Sequence, residues 1–180
     1  MSEAEYWVLL ASVVRPAVSK EPIYTVIVGV SFRRYYASMI EIVRLDGAEQ
    51  RTLDEINKLL SALSENISSC TPDLLQRIVG NPTVEIWVAK HEGHIVGIGE
   101  LALVLKLEGI SAYIEDVVVA IPERGKGIGT LIMKKLIERA RVHGAQEIHL
   151  TSRPDRVAAN KLYKKLGFEM RATNAYCLKL

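Results

Sequence analysis

Val117-Val-Val-Ala-Ile-Pro-Glu-Arg124-Gly-Lys-Gly127-Ile-Gly129 runs from a β-branched stretch through a glycine-rich turn directly into an amphipathic segment. A strand, a tight turn and a helix in that order make a cradle for phosphate. Gly125, Gly127 and Gly129 let the backbone come close to a ligand, and the following helix aims unpaired N–H groups and the positive end of its dipole at the same point. Two familiar phosphate motifs do not fit. A dinucleotide fingerprint needs G-x-G-x-x-G, but the sixth residue from Gly125 is Thr130 and from Gly127 is Ile132. A Walker A loop needs Ser or Thr after Gly-Lys, and Lys126 is followed by Gly127.

What remains is Arg124-x-x-Gly127-x-Gly129, and downstream comes Asn160-Lys-Leu-Tyr163-Lys-Lys-Leu-Gly167-Phe168. Together the two stretches resemble the acyl-coenzyme A pyrophosphate loop (R/Q-x-x-G-x-G/A) and the second signature (N-x-x-Y-x-K-x-G-F) of the GNAT N-acetyltransferase superfamily. They stand in the right order, separated by one helix and one strand, and the resemblance covers roughly residues 39–180. One departure is visible: Pro122 lies two residues before Arg124, where many members have it three before.

The flanking sequence reads as one α/β domain of the α+β type. Ile40 to Leu45 alternates like a half-buried strand, and Thr52-Leu-Asp-Glu55 supplies a capping box for a helix running to about Asn66. Thr71-Pro72 opens a second helix that ends near Gly80. Val84 to Lys90 and Ile95 to Leu105 form a hairpin around His91-Glu-Gly-His94, and Tyr113 to Ala120 feeds the glycine loop. Gly97 and Gly99 inside their strand mark a bulge or a close backbone approach, or simple packing. After the loop, Ile128, Leu131, Ile132, Leu136, Ile137 and Ala140 make a core-facing helical stripe that His143-Gly144 ends. Glu147 to Ser152, a helix capped by Asp155 and stopped at Gly167, and a closing strand over residues 175–180 complete the order. The resemblance implies a mixed, mostly antiparallel sheet of about six to seven strands with about four helices on its faces.

A chain of 180 residues with 49% apolar residues suits a single folded unit. Residues 1–38 are read as an extension or over-extended start of uncertain status, with apolar runs too short to cross a bilayer and an acidic beginning that argues against a signal peptide. Two cysteines, Cys70 and Cys177, without metal spacing argue against a disulfide framework or a zinc site, and place the protein by default in the cytoplasm. His91 and His94 in a turn lack a ligand cluster, so no metal is expected.

The formal charge of +2 hides an asymmetry. Residues 1–123 carry 10 Lys and Arg against 17 Asp and Glu, and residues 124–180 carry 13 against 4, so the parts bear −7 and +9. A basic C-terminal part favours a polyanion, although ordinary solvated helix faces explain many of these lysines equally well. Nucleic acid ranks last as a partner, because aromatic residues are sparse among the basic ones.

The resemblance implies that acetyl-CoA is the cosubstrate and a primary amine the acceptor, attacked directly without a covalent enzyme intermediate. A small-molecule amine (amino-sugar-like, amino acid or polyamine) is expected, a protein N-terminus or lysine is the alternative, and a non-catalytic acyl-CoA sensor is the reading of another class. It further implies that backbone N–H groups near Val117 and Val119 hold the pantetheine arm. Arg124, Gly125, Lys126, Gly127, Ile128, Gly129 and Thr130 would receive the diphosphate, and Asn160 would hydrogen-bond the cofactor or else sit as a surface Asn. Tyr163 is the candidate general acid for the departing thiolate. Its position with Ala159, Leu162 and Leu166 on one helical face is equally that of a core residue. Glu115 and Asp116 point to opposite faces of a strand, so one of them can serve as the base, with Glu115 preferred. Membranes are not expected as partners, and a homodimer is possible.

Overall fold

The computed structural model describes residues 39–63 and 69–179, all within one compact unit, Tyr35–Leu180. The expectations for residues 1–38 fall outside the described residues. The chain runs β1 (Glu41–Arg44), α1 (Gln50–Leu63), α2 (Pro72–Val79), β2 (Val84–His91), β3 (His94–Lys106) and β4 (Gly109–Val119). A 3-10 turn (Ile121–Glu123), α3 (Ile128–Val142), β5 (Glu147–His149) and α4 (Val157–Lys165) follow. The sheet order is β1-β2-β3-β4-β5. All neighbours are antiparallel except β4 and β5, which run parallel.

The sheet is mixed, as expected, with four helices and five strands among the described residues rather than six or seven. The expected closing strand is absent from the described part of residues 175–180: Met170, Tyr176 and Leu178 are exposed at 89%, 91% and 84%. A strand is stabilised by cross-strand pairs and a packed face, and these side chains have neither.

Two cores lie on the two faces of the sheet. On one, Ile128, Ile132, Met133, Leu136 and Ala140 of α3 pack on Ala89, Leu101, Ala112 and Ile114. On the other, Leu53, Ile56 and Leu59 of α1 and Leu75 of α2 pack on Ile86, Val88, Ile98 and Val118. Fully burying such a side chain stabilises the fold by about 1.5–3 kcal/mol before entropy is counted. Of the stripe read from the sequence, Ile128, Ile132, Leu136 and Ala140 are buried, Leu131 and Ile137 are only partly so, and Met133 joins them.

Gly97 and Gly99 are explained by α3. A Cβ on Gly97 would lie 2.9 Å from Ile132 Cδ1, and one on Gly99 would lie 2.8 Å from Ile132 Cγ2 and 2.9 Å from Leu136 Cδ1. The helix therefore sits directly on bare backbone of β3. Gly99 also faces a bulge. Ile98 pairs with Val118 and Glu100 with Glu115, so two residues of β4, Asp116 and Val117, oppose one of β3.

Of the three helix caps read from the sequence, two differ in the structure. Thr52 lies inside α1, which starts at Gln50, and Glu55 turns away from any capping box. Its carboxylate instead accepts the Ile95 N–H at 3.0 Å and lies 3.0 Å from His94 Nδ1, tying α1 to the β2–β3 hairpin. Long-range partners for Glu55 outcompete the local cap. At α4 the cap residue is Arg156 rather than Asp155, without a side-chain bond, because a guanidinium has no acceptor to offer a helix N–H; it donates instead to the Leu63 carbonyl at 2.9 Å. The third, Thr71, is as expected: its Oγ1 accepts the Leu74 N–H at 3.2 Å ahead of Pro72.

Candidate active site

The site opens where β4 and β5 part. Their ladder holds only Ser111 with Glu147, Ala112 with Ile148 and Tyr113 with His149. β4 continues to Val119, whereas β5 stops at His149 instead of reaching Ser152. Among the described residues, the edge of β4 beyond Tyr113 therefore has no strand beside it on the β5 side.

Backbone groups alternate sides along a strand, which decides what that edge offers. Ala120 N–H donates to the Val96 carbonyl at 2.9 Å, toward β3. The N–H groups of Val119 and Val117, one and three residues earlier, consequently point away from β3 into the gap. Two strand amides that make no ladder bond to a described strand can hold an extended amide-bearing ligand as an added strand would.

The glycine loop lies at the end of this gap. Gly125 and Gly127 have φ of +78° and +95°, left-handed values that favour glycine, and nothing lies within 4 Å of where their Cβ atoms would be. Gly127 is the N-cap of α3, and its carbonyl accepts the N–H groups of Thr130 at 3.0 Å and Leu131 at 3.2 Å. The N–H groups of Ile128 and Gly129 precede the helical ladder and belong to the first turn that lacks partners in its own helix. Ile128 buries its side chain in the core, at 1% exposure, so only its backbone faces the loop. Gly129 differs from the other two: a Cβ there would meet Leu162 at 3.6 Å and Val119 at 3.7 Å, ordinary contacts.

The two loop cations are both engaged. Arg124 Nε donates to the Val119 carbonyl at 3.0 Å, and Lys126 Nζ pairs with Glu123 at 2.9 Å. Asn160 Nδ2 donates to the Arg153 carbonyl at 2.9 Å and so braces the loop between β5 and α4.

Tyr163 on α4 is half-buried, packs on the α3 side of the core and meets Phe168 edge-on at 6.1 Å between ring centroids. Burial raises its phenol above the usual value, Arg156 opposes that, and the charge of Glu115 adds to it. A phenol so placed stays protonated at neutral pH.

The bulge alters what the strand pattern implied for Glu115 and Asp116. Asp116 takes φ +50°, which interrupts the simple alternation of faces expected for the two residues. Glu115 lies across from Glu100 of β3. Crowding by protein atoms raises the Glu115 carboxyl above the ordinary carboxylate range, and Asp116 raises it further. Glu100 is half-buried and shifted the same way by burial first, then by Asp116 and Glu115. The Cys70 thiol, just before α2, is pushed up by burial and then by Glu100 and Asp116.

Sequence reasoning missed Glu100, Arg156 and Ser152. A carboxylate between Gly99 and Leu101 in an otherwise apolar strand was the available signal for Glu100. Ser152 Oγ, three residues past the end of β5, is buried without a hydrogen-bond partner among the described residues. A buried hydroxyl left unpaired is unfavourable unless a ligand or an ordered water satisfies it. Among the described residues no group of three or more His, Cys, Asp or Glu could hold a metal ion, and no helix is long and apolar enough to cross a membrane.

Comparison with known proteins agrees with this geometry. Human N-acetylaspartate synthetase is 35% identical over 107 residues, 59% of this chain and 35% of that protein. An uncharacterized N-acetyltransferase of Bacillus subtilis (strain 168) is 32% identical over 85 residues, 47% of this chain and 33% of that one. The match thus spans about a third of the length of these curated relatives. A putative acetyltransferase from Agrobacterium tumefaciens str. C58 shares the fold with a TM-score of 0.69 at 22% identity, covering 77% of this chain and 99% of that one. Residues 53–168 match the acetyltransferase (GNAT) family, which takes in the splayed strands, the glycine loop and Tyr163 alike, and the chain belongs to that family.

Proposed function

We propose that this protein is an acetyl-CoA-dependent N-acetyltransferase that passes the acetyl group to a primary amine by direct attack. The observation that carries the reading is the unpaired edge of β4, with the Val117 and Val119 N–H groups aimed into the gap that leads to the left-handed glycines. The residues present fit acetyl-CoA: strand amides for the pantetheine arm, an uncrowded N-terminal turn of α3 and Arg124 for the diphosphate. When bound, acetyl-CoA supplies an activated thioester.

The residues then divide the work. Arg124, Gly125, Lys126, Gly127, Ile128, Gly129 and Thr130 surround the diphosphate, and Asn160 steadies the adjoining loop. The amide of Val117 or Val119 polarises the thioester carbonyl. Glu115 takes the proton that keeps an ammonium acceptor from attacking, with Asp116 beside it. As the amine adds and the C–S bond breaks, Tyr163 donates its proton to the departing sulfur and recovers one from the new amide nitrogen. One proton is released per turnover.

The acceptor we favour is a small-molecule amine, because a groove lined by Glu115 and Asp116 suits a compact cation. A protein amine is the alternative. The test is thiol release from acetyl-CoA with the full chain over panels of amino sugars, amino acids, polyamines and peptides, alongside calorimetric titration with acetyl-CoA. Turnover with one small-amine class is expected, and absence of binding heat would overturn the assignment.

A further inference from the structure

Glu100 has no place in the reaction as set out above, and its surroundings make it costly to keep. It alternates with Ile98 on the face of β3 that α1 and α2 cover, between the buried Gly99 and Leu101. Directly across the ladder is Glu115. Side chains so opposed stand about 5 Å apart at their Cβ atoms, and like charges there are destabilising. Among the described residues no Lys, Arg or His forms an ion pair with the half-buried Glu100 or the more exposed Glu115 and Asp116, whereas the half-buried Glu55 of α1 and the buried Glu85 of β2 are both paired.

We propose that Glu100 is a positioning residue: its carboxylate, opposite Glu115 across the bulge, prepares Glu115 to take a proton from an acceptor that arrives as an ammonium. This rests on acetyl transfer as proposed above. The physical reason is mutual repulsion. Two carboxylates that face each other in a partly desolvated groove cannot both ionise freely, so the pair keeps affinity for one added positive charge, met either by a proton or by the ammonium group itself. A cation entering the groove relieves the repulsion, and transfer of its proton to Glu115 leaves a neutral amine able to attack. The proton moves from nitrogen to a Glu115 oxygen, and no other bond changes in this step.

Glu115 has Glu100 across the ladder on β3 and Asp116 beside it on its own strand. Its charge in turn raises the carboxyl of Glu100 and the phenol of Tyr163 on α4, which Arg156 at the start of that helix opposes. Cys70, ahead of α2, faces Glu100 and Asp116. With its thiol pushed up, Cys70 stays neutral and is no rival base. Glu100 itself need not touch the acceptor, because its effect passes through Glu115.

The experiment is a carbon-13 NMR titration of the Glu115 carboxyl in the full chain, assigned with Glu115→Gln and repeated in Glu100→Gln and Glu100→Asp. It is read beside the pH dependence of kcat/KM for the best amine. Removing a like charge lowers the proton affinity of its neighbour. The Glu115 midpoint is therefore expected to fall by on the order of one pH unit in Glu100→Gln, a tenfold loss of proton affinity, and to stay nearer the native value in Glu100→Asp. The acidic limb of kcat/KM should move to lower pH by the same amount. A folded Glu100→Gln variant with an unmoved Glu115 midpoint would overturn the proposal. A moved midpoint without any acetyl transfer would support the coupling and remove the acetyltransferase reading instead, so the two failures are distinct.

Discussion

Arg124 Nε donates to the Val119 carbonyl at 3.0 Å, which ties the first cation of the glycine loop to the last residue of the strand along which the cleft opens. Backbone N–H and C=O of one strand residue point to the same side. The carbonyl that Arg124 holds therefore lies on the open edge, and the guanidinium is positioned at the mouth of the gap with further donors to spare. Arg124→Ala is expected to weaken acetyl-CoA binding by about tenfold, the loss of one charge-assisted contact, with kcat at saturation nearly unchanged. Calorimetric titration beside steady-state kinetics checks both halves of the expectation.

Tyr163 is both core residue and candidate acid, and the two roles separate on substitution. Tyr163→Phe keeps the ring that packs on the core and meets Phe168, and removes only the hydroxyl. Turnover should fall by about 10² to 10⁴-fold while acetyl-CoA affinity and melting temperature hold. Turnover equal to the native rate would leave Tyr163 as packing alone.

The glycines of the loop are unequal. At Gly127, φ is +95°, so Gly127→Ala should destabilise the protein by about 1–2 kcal/mol although space for the methyl is free. At Gly129 the added methyl meets only ordinary contacts and gains helix propensity, so Gly129→Ala should be neutral or stabilising by up to about 1 kcal/mol. Paired denaturant unfolding curves measure the difference.

Glu85, at 2% exposure, is the buried charge that holds α3 to β2. Arg139 donates to it through Nε at 2.9 Å and Nη2 at 2.8 Å, Trp87 Nε1 donates at 2.8 Å, and His143 Nε2 lies 2.9 Å away. Arg139 is the largest influence holding its carboxyl down at about 2, from an ordinary 4.5. A depressed folded-state value means that the stabilisation is complete above about pH 4.5 and is lost as pH falls toward 2. Glu85→Ala leaves Arg139 without its partner and should cost about 3–5 kcal/mol. It should also flatten the acid limb of the stability–pH curve, which thermal melts from pH 2 to 7 would show.

Local rules carried much of this protein. The glycine turn at Gly125 and Gly127 and the helix stop at Gly167 were legible because backbone conformation and cap chemistry act within a few residues. The stripe of α3 and the Thr71 cap were legible for the same reason. The short β5, the missing closing strand and the escape of Glu55 from its expected capping box were not, since each depends on partners dozens of residues away.

The sequence by itself determined that a strand, a glycine turn and a helix follow one another, because left-handed φ at Gly125 and Gly127 and apolar periodicity in α3 need no distant help. Only the tertiary structure decided that β4 would lose its neighbour beyond Tyr113, and that Asp116 would bulge opposite Gly99. It also decided that Glu100 would stand against Glu115. Strand register is a relation between segments, settled by how α3 seats on the bare backbone of Gly97 and Gly99, and no single stretch of sequence contains it.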